Sequence, residues 1–248
     1  MPSLGPIRSI LLDIEGTTTP IAFVYEVLFP YAKMYVADFL WQHAASDEVC
    51  ADIAGLWQQH TDDVKNGLTP PPLSASPPEA RLSSLVSYVH WLIDHDRKST
   101  ALKSLQGKIW QEGYRTGHLR SQVFPDVPMA FEQWQRQKIE ICIFSSGSVL
   151  AQQLLFAHTT DGDLTRFIHA YFDTTIGSKR DPESYRRIAT TLGHAAEQML
   201  FISDVTEELD AAQSAGMATR LAVRPGNHPQ PASPHVAIHT FEALMAER

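Results

Sequence analysis

The stretch Ile7-Arg8-Ser9-Ile10-Leu11-Leu12-Asp13-Ile14-Glu15-Gly16-Thr17-Thr18-Thr19 decides how the rest of the chain is interpreted. Its first six residues are mostly apolar and branched, the pattern of a strand buried on both faces of a parallel sheet. In open parallel sheets, ligands bind beyond the carboxyl ends of the strands, which is where Asp13 falls. Gly16 permits a sharp turn, and the three threonines supply hydroxyl and backbone N–H groups suited to an anion. The stretch predicts a strand that delivers Asp13 as a nucleophile; an ordinary Asp-initiated turn is the alternative.

The composition indicates an ordinary globular protein that acts on a small molecule. A chain of 248 residues with 44% apolar and 19% charged residues can form one large α/β domain, or a core with a smaller domain. Its net charge of -8 argues against a nucleic-acid partner or an anionic membrane surface, although a few donors can still hold one phosphate. The two cysteines, Cys50 and Cys142, suit a reducing compartment. With no basic leader and no apolar window of about 18 residues, we expect a cytoplasmic protein.

The strand pattern stops after Pro20, and the following hundred residues have the periodicity of helices. Four helices are predicted, at residues 21–43, 46–64, 79–96 and 100–114. Pro30 is expected to break or kink the first helix, and Ser46 to cap the second. The proline-rich segment 66–78 is expected to be a surface loop. Because no strand pattern interrupts this region, we predict an all-α insertion at residues 21–120.

From residue 124 onward, strand and helix patterns alternate. Strands are predicted at residues 139–144, 170–174, 199–203 and 219–223, and helices at residues 129–137, 149–157, 182–192 and 207–215. This alternation is typical of βαβ units, which build a parallel sheet with helices on both faces. We therefore predict a doubly wound, mainly parallel α/β core formed by residues 1–20 and 121–248, with the helical insertion as a second domain.

Polar groups follow three of the predicted strands. Asp13 and Glu15 end the first strand, Ser145-Ser146-Gly147 the second, and Ser203-Asp204 a later one, while a basic loop around Lys179 precedes a helix. If the strands are parallel, all these groups lie at one edge of the sheet. Each has a structural alternative: a turn or N-cap for Ser145-Ser146-Gly147, a solvated side chain for Lys179 and a helix cap for Asp204. Their occurrence together and in this order favours a site.

These residue types fit the cleavage of a phosphomonoester. A carboxylate such as Asp13 can attack phosphorus to form an aspartyl-phosphate, which water then hydrolyses. The Ser145 hydroxyl and the N–H groups of Ser146 and Gly147 are candidates for binding the phosphate, and Lys179 would offset the developing charge. Carboxylates beside a phosphate dianion need a hard cation, for which Mg²⁺ bound by Asp13 and Asp204 fits.

The four motifs resemble those of the haloacid dehalogenase superfamily of phosphotransferases. Within that superfamily, Asp-Ile-Glu-Gly-Thr-Thr at residues 13–18 and Ser-Ser-Gly-Ser at residues 145–148 are similar to the enolase-phosphatases of methionine salvage, also called acireductone synthases. The similarity covers most of the chain, including residues 171–174, 183–186 and 223–227. The superfamily's usual motif has Asp two residues after the nucleophile, whereas this chain has Glu15. This difference favours the enolase-phosphatases over the general phosphatases of the superfamily.

The resemblance implies a Rossmann-like core, a cap formed by the insertion, and a Mg²⁺-dependent hydrolase. The implied substrate is 2,3-diketo-5-methylthiopentyl-1-phosphate, which is enolised and then dephosphorylated to the acireductone. Glu15 is expected either as a general acid/base or in the metal site through its backbone carbonyl, and Glu208 either reinforces the site or holds Lys179. The candidates for the base that removes the proton from carbon one are Glu15 and a group of the insertion. Phe23, Tyr25 and residues 110–114 are candidates for the cap pocket, with packing inside the cap as the alternative.

Two other functions compete at this stage. One is a general phosphatase of the same superfamily that acts on another small phosphomonoester. The other is a protein that has kept the fold and lost turnover, and now serves as a binding module. The presence of Asp13, Lys179 and Asp204 argues against the second of these. We expect a monomer, because the sequence contains no sustained coiled-coil pattern.

Overall fold

The computed structural model describes residues 7–97, 99–229 and 233–245. The strands are β1 (Ser9–Leu12), β2 (Glu140–Phe144), β3 (Ile168–Phe172), β4 (Met199–Ser203), β5 (Ala218–Ala222) and β6 (Ala237–Ile238). The α-helices are α1 (Ile21–Phe23), α2 (Phe29–His43), α3 (Asp47–Lys65), α4 (Pro78–Asp94), α5 (Thr100–Arg115), α6 (Val127–Arg136), α7 (Val149–Ala157), α8 (Pro182–Leu192), α9 (Thr206–Ser214) and α10 (Glu242–Met245). A π-helical turn, Val24–Leu28, joins α1 to α2.

The six strands form one sheet in the order β3-β2-β1-β4-β5-β6, and every neighbouring pair is parallel. The strand β1 lies between β2 and β4, where the strand order reverses direction, and its four residues are all buried. Burial on both faces is what its apolar pattern predicted. The predicted α/β architecture with a parallel, doubly wound core is therefore confirmed. The point of reversal is where sheets of this kind bind their ligands.

The chain divides into two compact units. The first contains residues Met1–Val24 and Arg120–Arg248, and the second contains residues Tyr25–Leu119. The second unit corresponds to the insertion that the sequence analysis expected at residues 21–120. The second unit consists of α2 to α5, and its described residues contain no strand. Its interior is apolar and includes Val36, Leu40, Leu56, Leu85, Tyr88, Leu92 and Leu105. Such helices bury the apolar face that their three- and four-residue periodicity defines.

Some sequence expectations for local structure were shifted or incomplete. The predicted helix at residues 21–43 is interrupted, as expected, but at the π-helical turn Val24–Leu28 and not at Pro30 itself. Pro30 occupies the first turn of α2, where its missing N–H is tolerated. The strand β3 begins two residues earlier than predicted, and Asp173 ends it by accepting a hydrogen bond from the backbone N–H of Thr175 at 2.9 Å. The short elements β6 and α10 were not predicted, because two and four residues carry no usable periodicity. None of the helices in the described ranges has the length and apolar character needed to cross a membrane.

Candidate active site

The first and fourth strands end side by side and carry two of the predicted carboxylates. Leu12 of β1 is in register with Ile202 of β4, and the backbone N–H of Asp13 donates to the Ile202 carbonyl at 3.0 Å. Asp13 and Asp204 therefore follow the two strands that flank the reversal of strand order, and both are buried. The neighbouring helix α9 is not capped by the Asp204 side chain, which removes the structural alternative for this residue.

The turn after Asp13 is closed by its own backbone. The N–H groups of Thr17, Thr18 and Thr19 all donate to the Ile14 carbonyl, at 3.2, 3.0 and 2.9 Å. All three threonines are fully buried. The expectation that these residues present donors to an anion is therefore wrong for their N–H groups, because the turn itself uses them.

Gly16 is required where this turn passes Asp204. Its φ of +71° lies in the left-handed region, and a Cβ atom at this position would lie 2.3 Å from Asp204 Oδ2. A side chain at residue 16 would therefore collide with the second carboxylate. The glycine lets the backbone of residues 14–19, which we call the nucleophile loop, lie directly against Asp204.

Lys179 is buried among acidic groups instead of being solvated. Its Nζ lies 2.6 Å from Asp13 Oδ1 and 2.6 Å from Glu208 Oε2, and only 8% of the residue is exposed. The Tyr185 hydroxyl donates to the Lys179 carbonyl at 2.7 Å, which anchors the loop on α8. Gly177, with φ of +140°, permits the close approach of this loop to the same helix. The structure thus brings together the predicted nucleophile and the predicted cation.

The site carries more negative than positive charge. Burial and the charges of Asp13 and Glu208 raise the pKa of Asp204 to about 7. Burial and the charge of Asp13 also raise the pKa of Glu208 to about 7, against the opposing effect of Lys179. Three carboxyl groups therefore share one ammonium group in a region with little water. A further cation at this place would relieve their mutual repulsion.

The predicted phosphate loop follows β2. Ser145 is buried, and its backbone N–H donates to the Phe172 carbonyl at 3.2 Å. Its Oγ accepts a hydrogen bond from the Gly147 N–H at 3.2 Å, whereas Ser146 is half-buried. The helix α7 is capped by Ser148, whose side chain accepts from the Ala151 N–H. Because Ser148 is the cap, capping of α7 does not explain the presence of Ser145, Ser146 and Gly147.

The chemistry of these oxygen donors fits Mg²⁺. In the described ranges, no group of three His, Cys, Asp or Glu side chains could hold a metal ion alone, so the Glu15 side chain does not complete a cluster with Asp13 and Asp204. Mg²⁺ needs less than this, because it commonly binds one or two carboxylates and keeps water or phosphate oxygens as its other ligands. The carboxylates of Asp13 and Asp204 are ligands of the kind that Mg²⁺ needs, and the backbone carbonyl of Glu15 is a third oxygen of a suitable kind.

Ser203 lies in the site, although the sequence analysis gave it no role there. Its Oγ lies 3.2 Å from Asp13 Oδ2 and 3.0 Å from Glu208 Oε2, and it accepts the Val205 N–H at 3.1 Å. Its place directly before Asp204, at the end of an apolar strand, was the available signal. Serine hydroxyls are so common at strand ends that this signal alone would not have identified it.

The aromatic candidates for a cap pocket are mostly packing residues. Phe23 is fully buried, and the Nε1–H of the buried Trp110 donates to the Leu28 carbonyl at 2.9 Å. Tyr25 is half exposed, with its ring centroid 5.4 Å from that of Phe29 in an edge-to-face contact. Packing within the helical unit therefore accounts for Trp110, which was the structural alternative for this residue.

The chain is similar over most of its length to several known proteins. The family model for haloacid dehalogenase-like hydrolases matches residues 7–216. The protein named enolase-phosphatase E1 from Synechococcus elongatus is 49% identical over 244 residues, which cover 98% of this chain and 100% of that protein. The protein of the same name from Klebsiella pneumoniae is 43% identical, with 98% of each chain covered. The crystal structure of the UTR4 protein from Saccharomyces cerevisiae matches 95% of this chain and 99% of its own, with a TM-score of 0.75 and 35% identity.

Proposed function

The chain belongs to the enolase-phosphatase E1 family of haloacid dehalogenase-like hydrolases, and we propose that it converts 2,3-diketo-5-methylthiopentyl-1-phosphate to the acireductone and inorganic phosphate. The observation that carries this proposal is the buried contact of 2.6 Å between Lys179 and Asp13 at the carboxyl end of the sheet. A buried carboxylate whose charge is offset by an ammonium group can act as a nucleophile toward a phosphate dianion, because the ammonium reduces the repulsion between them. We expect the protein to act as a cytoplasmic monomer.

In the phosphatase half of the proposal, Asp13 attacks phosphorus. A bond forms between an Asp13 carboxylate oxygen and phosphorus while the bond from phosphorus to the substrate's ester oxygen breaks, and this oxygen leaves with the electron pair and takes a proton from solvent. Water then attacks phosphorus in the aspartyl-phosphate and gives up a proton to solvent, while the bond from phosphorus to the Asp13 oxygen breaks, so that phosphate is released and the carboxylate is restored. Contacts to both Asp13 oxygens, from Lys179 and Ser203, hold the carboxylate in one orientation before the attack.

Other residues of the site are proposed to bind the phosphate and the metal ion. The Ser145 hydroxyl and the N–H groups of Ser146 and Gly147 are proposed to bind the phosphate oxygens. For Gly147 this requires the N–H to exchange its hydrogen bond with Ser145 Oγ for one with the ligand. Asp13, Asp204 and the Glu15 carbonyl would hold Mg²⁺, which when bound supplies charge stabilisation at the phosphoryl oxygens and at a carbonyl of the diketone.

The enolase half of the proposal requires removal of a proton from carbon one of the substrate. Glu15 is a half-buried residue of the nucleophile loop, and its carboxyl group is the general base that we propose within the core. We further propose that residues 21–120 act as a cap that excludes water from the substrate.

A substrate comparison tests the proposal. Purified protein with Mg²⁺ is given the diketone phosphate and, separately, a panel of sugar phosphates and phosphoglycolate, while phosphate release and the absorbance of the enol are followed. We expect both signals with the diketone phosphate and at least about hundredfold lower kcat/KM for the panel, since a substrate that lacks the matching groups leaves binding groups unpaired. Phosphate release from the panel at comparable efficiency, without any enol absorbance, would favour a general phosphatase. Absence of turnover with every compound would favour a binding module.

A further inference from the structure

Two residues after β5 hold the backbone of the nucleophile loop. Arg224 Nε donates to the Thr17 carbonyl at 3.0 Å, and Asn227 Nδ2 donates to the Gly16 carbonyl at 2.9 Å. These carbonyls lie three and four residues beyond Asp13, in the turn that passes Asp204. We refer to Arg224 and Asn227 together as the loop clamp.

The Arg224 guanidinium is buried in a setting that leaves it little freedom. Its Cζ lies 4.8 Å from the ring centroid of Phe124 and 4.3 Å from that of Phe241, so that both rings contact the charged group. Its Nη1 donates to Asp126 Oδ2 at 2.8 Å and to the His239 carbonyl at 2.9 Å. The fork of a guanidinium suits this arrangement, because its separate N–H groups reach acceptors in different directions at once.

Asn227 meets the same loop beside the second carboxylate. A Cβ atom on Gly16 would lie 3.1 Å from Asn227 Oδ1 and 2.3 Å from Asp204 Oδ2, so both side chains contact the backbone at Gly16. Asn227 Oδ1 is itself a buried atom that accepts no hydrogen bond from the described residues. Gly16 is thus enclosed by the clamp and by the Asp204 side chain.

The burial of an arginine charge is poorly explained by stability alone. Removing an ion pair such as Arg224–Asp126 from water carries a desolvation cost, which the attraction between the two charges offsets only in part. Buried ionic groups are better explained where they select one geometry among several, and here the selected geometry is that of a backbone turn beside the nucleophile. The segment that contains Phe124 and Asp126 also attaches to this turn, since the Phe124 N–H donates to the Thr18 carbonyl at 2.9 Å.

We propose that Arg224 and Asn227 are positioning residues that set the separation of Asp13 from Asp204, and with it the affinity for Mg²⁺ and the rate of phosphate transfer, by holding the Thr17 and Gly16 carbonyls. Neither residue touches the reacting atoms; both act through the nucleophile loop. This inference rests on the proposed function for its effect on turnover, whereas its effects on the loop and on Mg²⁺ binding are independent of the substrate. Misplacement of a reacting group by about 1 Å costs about a hundredfold in rate.

The test uses the full chain with Arg224→Lys and Asn227→Ala. Lysine keeps the charge but cannot reach the Thr17 carbonyl and Asp126 together, and alanine removes the donor to Gly16. We expect kcat for phosphate release to fall about 10- to 100-fold with KM changed less than about threefold, and the Mg²⁺ dissociation constant, measured by calorimetry, to rise about 10- to 100-fold. Hydrogen exchange of the peptide that covers residues 14–19 is expected to accelerate in both variants.

Thr219→Val is the matched control. It removes a buried hydrogen bond of 2.8 Å to His235 Nδ1 near the amino end of β5, at the opposite edge of the sheet from the site. We expect this variant to lose thermal stability while its Mg²⁺ affinity, kcat and loop exchange stay at the wild-type values. If the clamp variants lose only thermal stability, as Thr219→Val does, the positioning role is overturned.

Two further outcomes are decisive. If Arg224→Lys fails to fold, the half-buried Asn227→Ala carries the same comparison. If the wild-type protein does not turn over the diketone phosphate, the proposed function fails by itself. Hydrogen exchange of residues 14–19 and Mg²⁺ affinity then still test the positioning role of the clamp. Faster exchange with weaker Mg²⁺ binding in the clamp variants supports this role, and unchanged values overturn it.

Discussion

Lys179 Nζ lies 2.6 Å from Asp13 Oδ1, although the two residues are 166 positions apart in the chain. Burial lowers the pKa of Lys179, but the adjacent carboxylates of Asp13 and Glu208 outweigh that effect and raise it above the usual range. The ammonium group therefore stays charged at neutral pH. This buried contact links the nucleophile to its counter-charge and provides the basis for the first two predictions below.

Asp13→Asn is expected to abolish phosphate release, with a loss of at least about a thousandfold, because the amide keeps the shape of the side chain but is not a nucleophile. Phosphate release and the intact mass of quenched protein provide the measurement, since the wild type is expected to accumulate a phosphoryl adduct that the variant lacks. Asp181→Asn is the control: this exposed residue caps α8, and asparagine caps helices equally well. Full activity of Asp13→Asn would overturn the aspartyl-phosphate mechanism.

Glu208→Gln is expected to lower kcat about 10- to 100-fold, because Lys179 loses one of the two carboxylates that hold its ammonium group in place. Glu207→Gln is the matched control, because Glu207 is the preceding residue of α9 and is exposed. We expect the control to retain wild-type activity, since exposed charges contribute little. Equal rates for the two variants, at similar thermal stability, would show that Lys179 does not depend on Glu208.

Gly16→Ala is expected to abolish Mg²⁺ binding and turnover, because the added Cβ would lie 2.3 Å from Asp204 Oδ2 and must displace the loop or the carboxylate. An alanine at residue 16 is also strained by the left-handed backbone, and a second variant separates this strain from the collision with Asp204. Gly193 has φ of +70°, against +71° at Gly16, but open space around it. Gly193→Ala should therefore lose about 1 kcal/mol of stability and keep its Mg²⁺ affinity. Calorimetric Mg²⁺ titrations of both variants test this difference, and normal binding by Gly16→Ala would contradict it.

Mg²⁺ is expected to raise the melting temperature more at pH 8 than at pH 6. Burial, Asp13 and Glu208 raise the pKa of Asp204 to about 7 in the metal-free protein, so the proton is retained at pH 6 and competes with the metal. Roughly one carboxyl group in ten is ionised one pH unit below its pKa, so we expect Mg²⁺ affinity to be about tenfold weaker at pH 6.

Without metal, the sign of the pH dependence reverses. Because the folded-state pKa of Asp204 lies above its unfolded value, the stabilisation from the retained proton is complete below about pH 4 and is lost as the pH rises through about 7. Thermal melts of metal-free and Mg²⁺-loaded protein across this range provide the measurement. Asp204→Asn should remove the response to Mg²⁺, and equal Mg²⁺ effects at both pH values would contradict the prediction.

The sequence by itself determined the elements and the kind of chemistry. Apolar strands of four or five residues, each followed by polar groups, identified β1, β2 and β4, because a buried parallel strand must be apolar on both faces. The residue types that follow these strands, together with Lys179, fit phosphate chemistry, and the resemblance of the motifs to the haloacid dehalogenase superfamily identified it. Helix ends were also predictable where a local signal exists, as at Ser46 and at Pro182 in the first turn of α8.

Only the tertiary structure decided how these groups meet. Whether Lys179 is solvated or buried, and that it contacts Glu208, depends on how a loop packs on α8, which no periodicity encodes. The same holds for Ser203 and for Arg224, whose partner carbonyl at Thr17 lies 207 positions away. Contacts between distant segments depend on loop paths and on the close approach that glycine allows at residue 16. A pattern that reports only which residues are buried cannot specify which distant groups they meet.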